Sequence, residues 1–212
     1  LPKEGYLPDD SEIVQQAHDF DIQVVSKVKT LQDSKLLLRR TRAVNALASQ
    51  LMAAPDEESC YQVASRLMVP LFGVDRCAYA LLKDADHFIV KNVAVQNRKH
   101  ATAMGLEAKT QGGSVVKPLK DTMIGLCAKT LTQQYCPRTK DSKFEFQRKI
   151  YHKMGISSVL ATPILVNQNR FAGAIVISME EEDAFKFHDR ILMSDIASML
   201  GANIYAKRMR RA

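Results

Sequence analysis

Four cysteines carry the most reactive side chains in this sequence: Cys60, Cys77, Cys127 and Cys136. No two of them form a Cys-x-x-Cys pair, and the five histidines do not supply the closely spaced partners that a zinc site needs. No Ser, His and Asp constellation stands out either. We therefore expect free thiols in a reducing compartment, which indicates a cytoplasmic protein, and we predict no metal, no cofactor and no catalytic residues.

The positive charge is concentrated in one stretch. The net charge is +7, and residues 109–153 hold ten Lys or Arg against three acids, Asp121, Asp141 and Glu145. Such a stretch can attract anions, including the phosphates of nucleotides. The alternative interpretation is that these residues only form a solvated lysine-rich surface. The sequence shows no nucleic-acid-binding motif, which argues against a nucleic-acid partner. No run of residues approaches the roughly 18–20 apolar positions of a membrane span.

The N-terminal quarter predicts one long helix. Residues 1–10 hold two prolines and a glycine and predict an extended leader, whereas Gly and Pro are absent from 12 to 54, which predicts a helix over 11–54. Asp21 and Lys35 interrupt an otherwise apolar 3–4 spacing at Val14, Ala17, Val24, Val28, Leu31 and Leu38. This spacing is that of a coiled-coil seam, and a second copy of the chain is its natural partner. The alternative is that the stretch breaks at Asp33–Ser34 and folds back as two helices.

The rest of the chain predicts a sheet between helices. We expect a helix over 57–71 that ends at Gly73, strands over 75–83 and 87–95, a loop-rich segment over 96–121, short helices over 121–134 and 143–154, and strands over 159–166 and 171–178. A last helix begins near Phe185, with its apolar positions at Ile191, Leu192, Ile196, Leu200, Ile204 and Tyr205. This order predicts an α+β fold with an antiparallel sheet. Long N- and C-terminal helices cover one face, and loops and short helices form a pocket on the other.

Three segments resemble the GAF domain: FGVDRCAYALLKD (72–84), IGLCAKTLTQQYCPRTKDSKF (124–144) and GISSVLATPILVNQNRFAGAIVIS (155–178). The family pattern falls on Gly125, Asp141, Phe144, Leu160, Pro163 and Gly173. The resemblance covers 44–205 and implies a non-catalytic regulatory module of a larger signalling protein. Such modules bind a small molecule or only dimerise, and they relay their state through flanking helices to a cyclase, phosphodiesterase or kinase. It also implies a homodimer through the N- and C-terminal helices, with residues 206–212 leading into an output domain.

The resemblance places the pocket as well. It implies that Ala78 and Ala80 on the first strand face the cavity, whereas Cys77 and Tyr79 would face it if the strand parity were shifted by one. The opposite wall would then hold Cys127, Phe144, Ser158 and Thr162. The ring of Phe144 could stack on a planar ligand, or it could pack the core of the loop.

The resemblance leaves the ligand open. Cyclic-nucleotide GAF domains carry Asn-Lys followed by Phe-x-x-x-Asp-Glu. Here Phe185 and Asp189 match that pattern, but Ser178 and Met179 replace Asn-Lys, and Arg190 replaces Glu. An anionic small molecule, a cyclic nucleotide and an empty pocket therefore stay open.

A thiol-dependent enzyme is a further alternative. Free methionine sulfoxide reductases are GAF proteins that work by cysteine chemistry, and Cys127 and Cys136 lie in the corresponding region. Lys129 and Arg138 beside them would favour thiolates. The His-Ile-Ala-Cys-Asp run of that family is absent, however, which favours thiols that only pack.

Overall fold

The computed structural model describes residues 10–95, 115–167 and 169–210, and the chain divides into two compact units, 1–43 and 44–212. The predicted leader lies outside the described residues except for Asp10, which begins a helix. The same holds for most of the predicted loop-rich segment, residues 96–114.

Helix α1 (Asp10–Ala53) is continuous, so it does not break at Asp33–Ser34. The hydroxyl groups of Thr30, Ser34 and Thr41 each donate to the carbonyl oxygen four residues earlier, at 2.8–3.0 Å, which satisfies these polar side chains within the helix. In the first unit, the seam residues Val28, Leu31 and Leu38 are exposed. The side chains of Val14, Ala17 and Val24 lie outside the described residues.

The second unit is built on a six-stranded antiparallel sheet with the order β3-β2-β1-β6-β5-β4. The strands are β1 (Arg76–Leu82), β2 (His87–Val95), β3 (Val115–Pro118), β4 (Gln134–Cys136), β5 (Ser158–Val166) and β6 (Arg170–Met179). The sequence predicts the four long strands and misses β3 and β4, which are short and lie at the two edges. Two edge strands of three and four residues carry little periodicity that a sequence pattern could reveal.

Among the described residues, four further helices flank the sheet: α2 (Glu57–Phe72), α3 (Met123–Thr130), α4 (Glu145–Lys153) and α5 (Phe187–Met209). Helix α2 begins where Asp56 Oδ1 accepts from the Ser59 N–H at 2.8 Å, and it ends at Gly73, whose φ of 64° favours glycine. Helix α3 is shorter than predicted because Thr122 caps its start and Leu131 leaves the helix in a left-handed conformation.

Each face of the sheet carries its own apolar core. One core lies under α2, α5 and the last turns of α1, where Leu47, Leu51 and Tyr61 are buried. The other lies under α3 and α4, where Ile124 and Cys127 are buried. The predicted α+β fold, with long helices on one face and short helices on the other, is confirmed.

Helix α5 has two distinct apolar faces rather than the single predicted stripe. Ile196, Leu200 and Ile204 are buried in the first core, whereas Ile191 and Tyr205 are exposed. None of the helices described between residues 10 and 210 is long and apolar enough to cross a membrane.

Two glycines allow close backbone approaches around this sheet. A Cβ on Gly173 of β6 would come within 2.5 Å of the Ala80 carbonyl oxygen on the neighbouring strand β1. A Cβ on Gly201 of α5 would overlap the carbonyl of Leu165 on β5. The last helix therefore lies directly on the backbone of a strand.

Candidate functional site

Three of the predicted pocket residues belong to the core between the sheet and helices α3 and α4. Ala80 on β1 is 2% exposed and Cys127 on α3 is 0% exposed, and Phe144 packs against the same core. Ala78 pairs with Val176, which also contacts this core. Cys77 and Tyr79 lie in the core on the other face, so the strand parity is the one first predicted.

Ser158 and Thr162 lie on the opposite face, so the prediction that they complete this wall is wrong. They alternate with Val159 and Ala161, which face α3, and they point toward the α5 layer. The Gln133 side-chain amide donates to the Thr162 hydroxyl at 2.8 Å and to Ser194 Oγ on α5 at 3.2 Å. The Ser158 hydroxyl donates to the Glu181 carbonyl at 2.7 Å. Both hydroxyls are satisfied in structural contacts.

The thiol of Cys127 makes a packing contact. Its Sγ lies 3.5 Å from the Ala161 carbonyl oxygen of β5, so α3 sits directly on the strand. Burial raises the pKa of Cys127 to about 12, and burial also raises the pKa of the Cys136 thiol. Lys129 and Arg138 therefore do not make thiolates of them near neutral pH. All four cysteines are free.

Phe144 is half-buried at the start of α4, and the Lys143 ammonium lies 5.2 Å from its ring centroid. The ring thus already has a cationic partner on one side and the apolar core on the other. This arrangement corresponds to the predicted packing role.

The residues that match the cyclic-nucleotide pattern organise the start of α5. Asp189 Oδ2 accepts from the Lys186 backbone N–H at 3.0 Å. Phe185 is buried and lies edge-on to Tyr135, with ring centroids 6.0 Å apart. The Arg190 guanidinium lies 5.2 Å from the centroid of the same Tyr135 ring. These contacts account for Phe185 and Asp189 without a ligand.

A cleft of about 490 Å³, which the sequence alone does not predict, opens beside the second core. We call it the α4 cleft. Its walls are the 3-10 turn Thr139–Asp141, one side of α4, the segment between α4 and β5, and Glu182 in the acidic turn before α5. Its lining residues are Thr139, Lys140, Arg148, Lys149, His152, Gly155, Ile156, Ser157 and Glu182.

The sequence holds a partial signal for this cleft. Arg148 and Lys149 are four and three residues before His152, which places all three side chains on neighbouring positions of α4. They also belong to the basic stretch over 109–153. The turn with Lys140 and the turn with Glu182 are brought beside them only by the tertiary fold, so no local pattern predicts the whole cleft.

The helices that flank the sheet meet at a polar junction. The Lys207 ammonium on α5 is largely buried and donates to the Met52 carbonyl in the last turn of α1 at 3.3 Å. Arg208 forms a bidentate pair with Glu57 at the start of α2, at 2.9 and 2.6 Å. The Tyr61 hydroxyl donates to the same carboxylate at 3.1 Å. Hydrogen bonds and an ion pair therefore join the end of α5 to the connection between α1 and α2.

The part of the chain that the structure describes contains no group of three or more His, Cys, Asp or Glu side chains that could hold a metal ion.

Comparison with known proteins identifies the family. The family model that describes the GAF domain matches residues 56–204. A search of curated proteins finds no match. The solved structures that are similar include the GAF domain of a phosphoenolpyruvate-protein phosphotransferase from Coxiella burnetii. It is 16% identical, with a TM-score of 0.67, and the alignment covers 82% of this chain and 97% of that one.

Two further structures show the same fold. The GAF domain of an Acinetobacter phosphoenolpyruvate-protein phosphotransferase is 11% identical, with a TM-score of 0.63 and coverage of 82% and 97%. Free methionine-R-sulfoxide reductase from Neisseria meningitidis, solved with its substrate, is 12% identical, with a TM-score of 0.66 and coverage of 83% and 93%. At these identities the likeness establishes the fold alone. The family model covers most of the chain, and the protein belongs to the GAF domain family.

Proposed function

We propose that this protein is a small-molecule-sensing regulatory module that works as a homodimer and relays the state of its ligand through α1 and α5. GAF domains are typically regulatory or sensory modules. The observation that carries the proposal is the junction of Lys207 and Arg208 with the α1–α2 connection. A displacement of α5 along the sheet acts on the last turn of α1 through this junction. The four free cysteines suit a reducing compartment, which supports a cytoplasmic module.

The exposed face of α5 supports the dimer. Ile191, Ser198, Ala202, Tyr205 and Met209 are all exposed and, with Asp195, follow a 4-3-4-3-4 spacing. This is the spacing of a helix–helix seam, and the small residues Ser198 and Ala202 in its middle allow close approach. The exposed apolar residues Val28, Leu31 and Leu38 of α1 also follow the seam spacing. A second copy of the chain is the occupant that fits both faces.

Sedimentation equilibrium on the 212-residue chain tests the dimer. We expect a dimer at tens of micromolar, and we expect Ala202→Glu to convert it to a monomer because the charge enters the seam. Ala85→Glu, at an exposed turn position far from α5 in sequence, makes the same change and should leave the dimer intact. A wild-type monomer at these concentrations contradicts the dimeric part of the proposal.

A thermal-shift screen tests the sensing. A ligand present at 100 times its dissociation constant stabilises the folded state by about 2.7 kcal/mol. For a domain of this size that raises the melting temperature by roughly 5–10 °C. The screen includes cAMP, cGMP, other nucleotides, amino acids and metabolite anions. A cooperative melt that no compound shifts refutes small-molecule sensing for the compounds tested.

A ligand-free module that only dimerises is the second candidate. The observation in its favour is the direct contact of Cys127 with the Ala161 carbonyl, which leaves no space for a ligand between α3 and β5 at that point. It predicts a dimer in sedimentation together with no shift in the screen. A thiol-dependent reductase is disfavoured because burial raises the pKa of both Cys127 and Cys136.

A further inference from the structure

We propose that the α4 cleft binds the phosphate group of a small phosphorylated molecule. The inference deepens the proposed sensing function, since it names a ligand class and a second site, but the binding itself does not depend on dimerisation. The cleft lies outside the predicted pocket: it shares no lining residue with Ala78, Ala80, Cys127, Phe144, Ser158 and Thr162.

The electrostatics of the cleft favour an anion. Three fixed positive charges, on Lys140, Arg148 and Lys149, face one lining carboxylate, Glu182. Within the described part of the chain, Arg148 forms no salt bridge or side-chain hydrogen bond, although it interacts electrostatically with the Glu145 carboxylate. Its guanidinium can bind two oxygens of one phosphate. The His152 imidazole is exposed one helical turn after Arg148. The cleft therefore combines two lysines in exposed ion pairs with one arginine that has no hydrogen-bond partner among the described residues.

The existing ion pairs of the two lysines are exposed and exchangeable. Lys140 lies 2.7 Å from Glu182, and Lys149 lies 2.8 Å from Glu145, with all four side chains 45–75% exposed. Exposed pairs of this kind contribute little to stability, so a phosphate can recruit either ammonium group at small cost.

The end of α4 does not repel an anion strongly, although the C-terminal end of a helix carries a partial negative charge. Three of its last four carbonyls are occupied: Ile150 accepts from Met154, Tyr151 from Ile156, and His152 from Gly155, at 2.9–3.1 Å. The Met154 carbonyl accepts from the Arg76 guanidinium at 2.7 Å. Hydrogen bonds, one of them from a buried cation, thus satisfy most of the acceptors at this end of the helix.

The geometry favours a phosphate over a single carboxylate. Lys140 approaches from the 3-10 turn, whereas Arg148 and Lys149 approach from α4. Donors on separate elements suit a tetrahedral group whose oxygens point in several directions. The volume of about 490 Å³ lies in the usual range for small-molecule sites and leaves room for the organic part of the ligand.

Isothermal titration of the full 212-residue chain with pyrophosphate tests the site, with citrate as the carboxylate comparison. We expect saturable binding of pyrophosphate that Arg148→Gln weakens about tenfold, the usual effect of losing one charge-assisted contact. Arg170→Gln removes an exposed arginine at the start of β6, outside the cleft, and should leave the affinity unchanged. Glu182→Gln should tighten binding about threefold because it removes the only carboxylate of the lining, and a gain of affinity cannot come from misfolding.

Three results overturn the inference: no saturable binding of pyrophosphate, equal weakening by Arg148→Gln and Arg170→Gln, or citrate binding as tight as that of pyrophosphate. Equal weakening would mean attraction by the overall positive charge. Sedimentation of the same samples reports the dimer independently, so loss of phosphate binding with an intact dimer refutes this site and leaves the proposed relay standing.

Discussion

The contact of α5 with β5 at Gly201 reverses the usual effect of replacing glycine by alanine in a helix. In most helix interiors, replacing Gly by Ala stabilises the fold by about 1 kcal/mol because alanine has the higher helix propensity. At Gly201 the added Cβ would overlap the backbone carbonyl of Leu165. A strand carbonyl cannot rotate away as a flexible side chain can, so the helix itself must shift.

The shift of α5 has a cost that exceeds the gain. The buried side chains of Ile196, Leu200 and Ile204 lie on the same face as Gly201, and moving the helix loosens all three. Overpacking of a close-packed core costs about 1–3 kcal/mol, and a backbone obstacle belongs at the upper end. Subtracting the propensity gain leaves a net loss of about 2 kcal/mol. For a domain of this size that lowers the melting temperature by roughly 4–8 °C.

Differential scanning calorimetry on two variants of α5 separates the effects. Ala206 is exposed and lies outside the proposed dimer seam, so Ala206→Gly loses only helix propensity, about 1 kcal/mol or roughly 2–4 °C. Propensity alone predicts opposite signs for Gly201→Ala and Ala206→Gly, whereas the structure predicts that both lower the melting temperature. An increase in the melting temperature of Gly201→Ala would refute the close contact of α5 with β5.

Three further predictions concern titration and ion pairing. Iodoacetamide at pH 8 should leave Cys127 unmodified in the folded protein, as checked by peptide mass spectrometry, because burial holds its pKa near 12; rapid alkylation would contradict this. Burial and the hydrogen bond to Asp183 raise the pKa of Tyr135 to about 12. Between pH 10 and 12 the phenol therefore ionises in the unfolded state but not in the folded state, and the wild type should lose stability relative to Tyr135→Phe in urea unfolding. Below pH 10 the difference between the two proteins should be constant. A double-mutant cycle of Glu57→Gln and Arg208→Gln should give a coupling energy of about 0.5–1 kcal/mol, and a value of zero would mean that the junction is not an energetic contact.

The sequence predicts the parts of the fold that have a local signal. The absence of Gly and Pro predicts α1, and Gly73 marks the end of α2 correctly because its left-handed backbone favours glycine. Gly173 is also explained by its close approach to the Ala80 carbonyl. In each case a single residue type is tied to one backbone requirement.

The site is predicted less well because β5 is buried on both faces. Eight of its nine residues are buried, so the apolar pattern of SVLATPILV contains no alternation from which to read the strand parity. The sequence-based prediction for Ser158 and Thr162 is wrong for this reason. On β1 the small residues Ala78 and Ala80 alternate with the larger Cys77 and Tyr79, and there the parity is correct.

The α4 cleft includes a residue of the turn before α5, and the helical junction lies at the end of α5. Glu182 lines the cleft, and the neighbouring Asp183 accepts hydrogen bonds from Tyr135 at 2.8 Å and from Lys186, the residue before α5, at 3.1 Å. An anion that draws Lys140 away from Glu182 therefore alters the charge balance of the turn from which α5 begins. Helix α5 then runs 23 residues, packed on β5 at Gly201, to its contacts with Met52 and Glu57. In the proposed relay, a displacement of α5 would carry the effect of a bound phosphate from the cleft to the junction of α1 and α2.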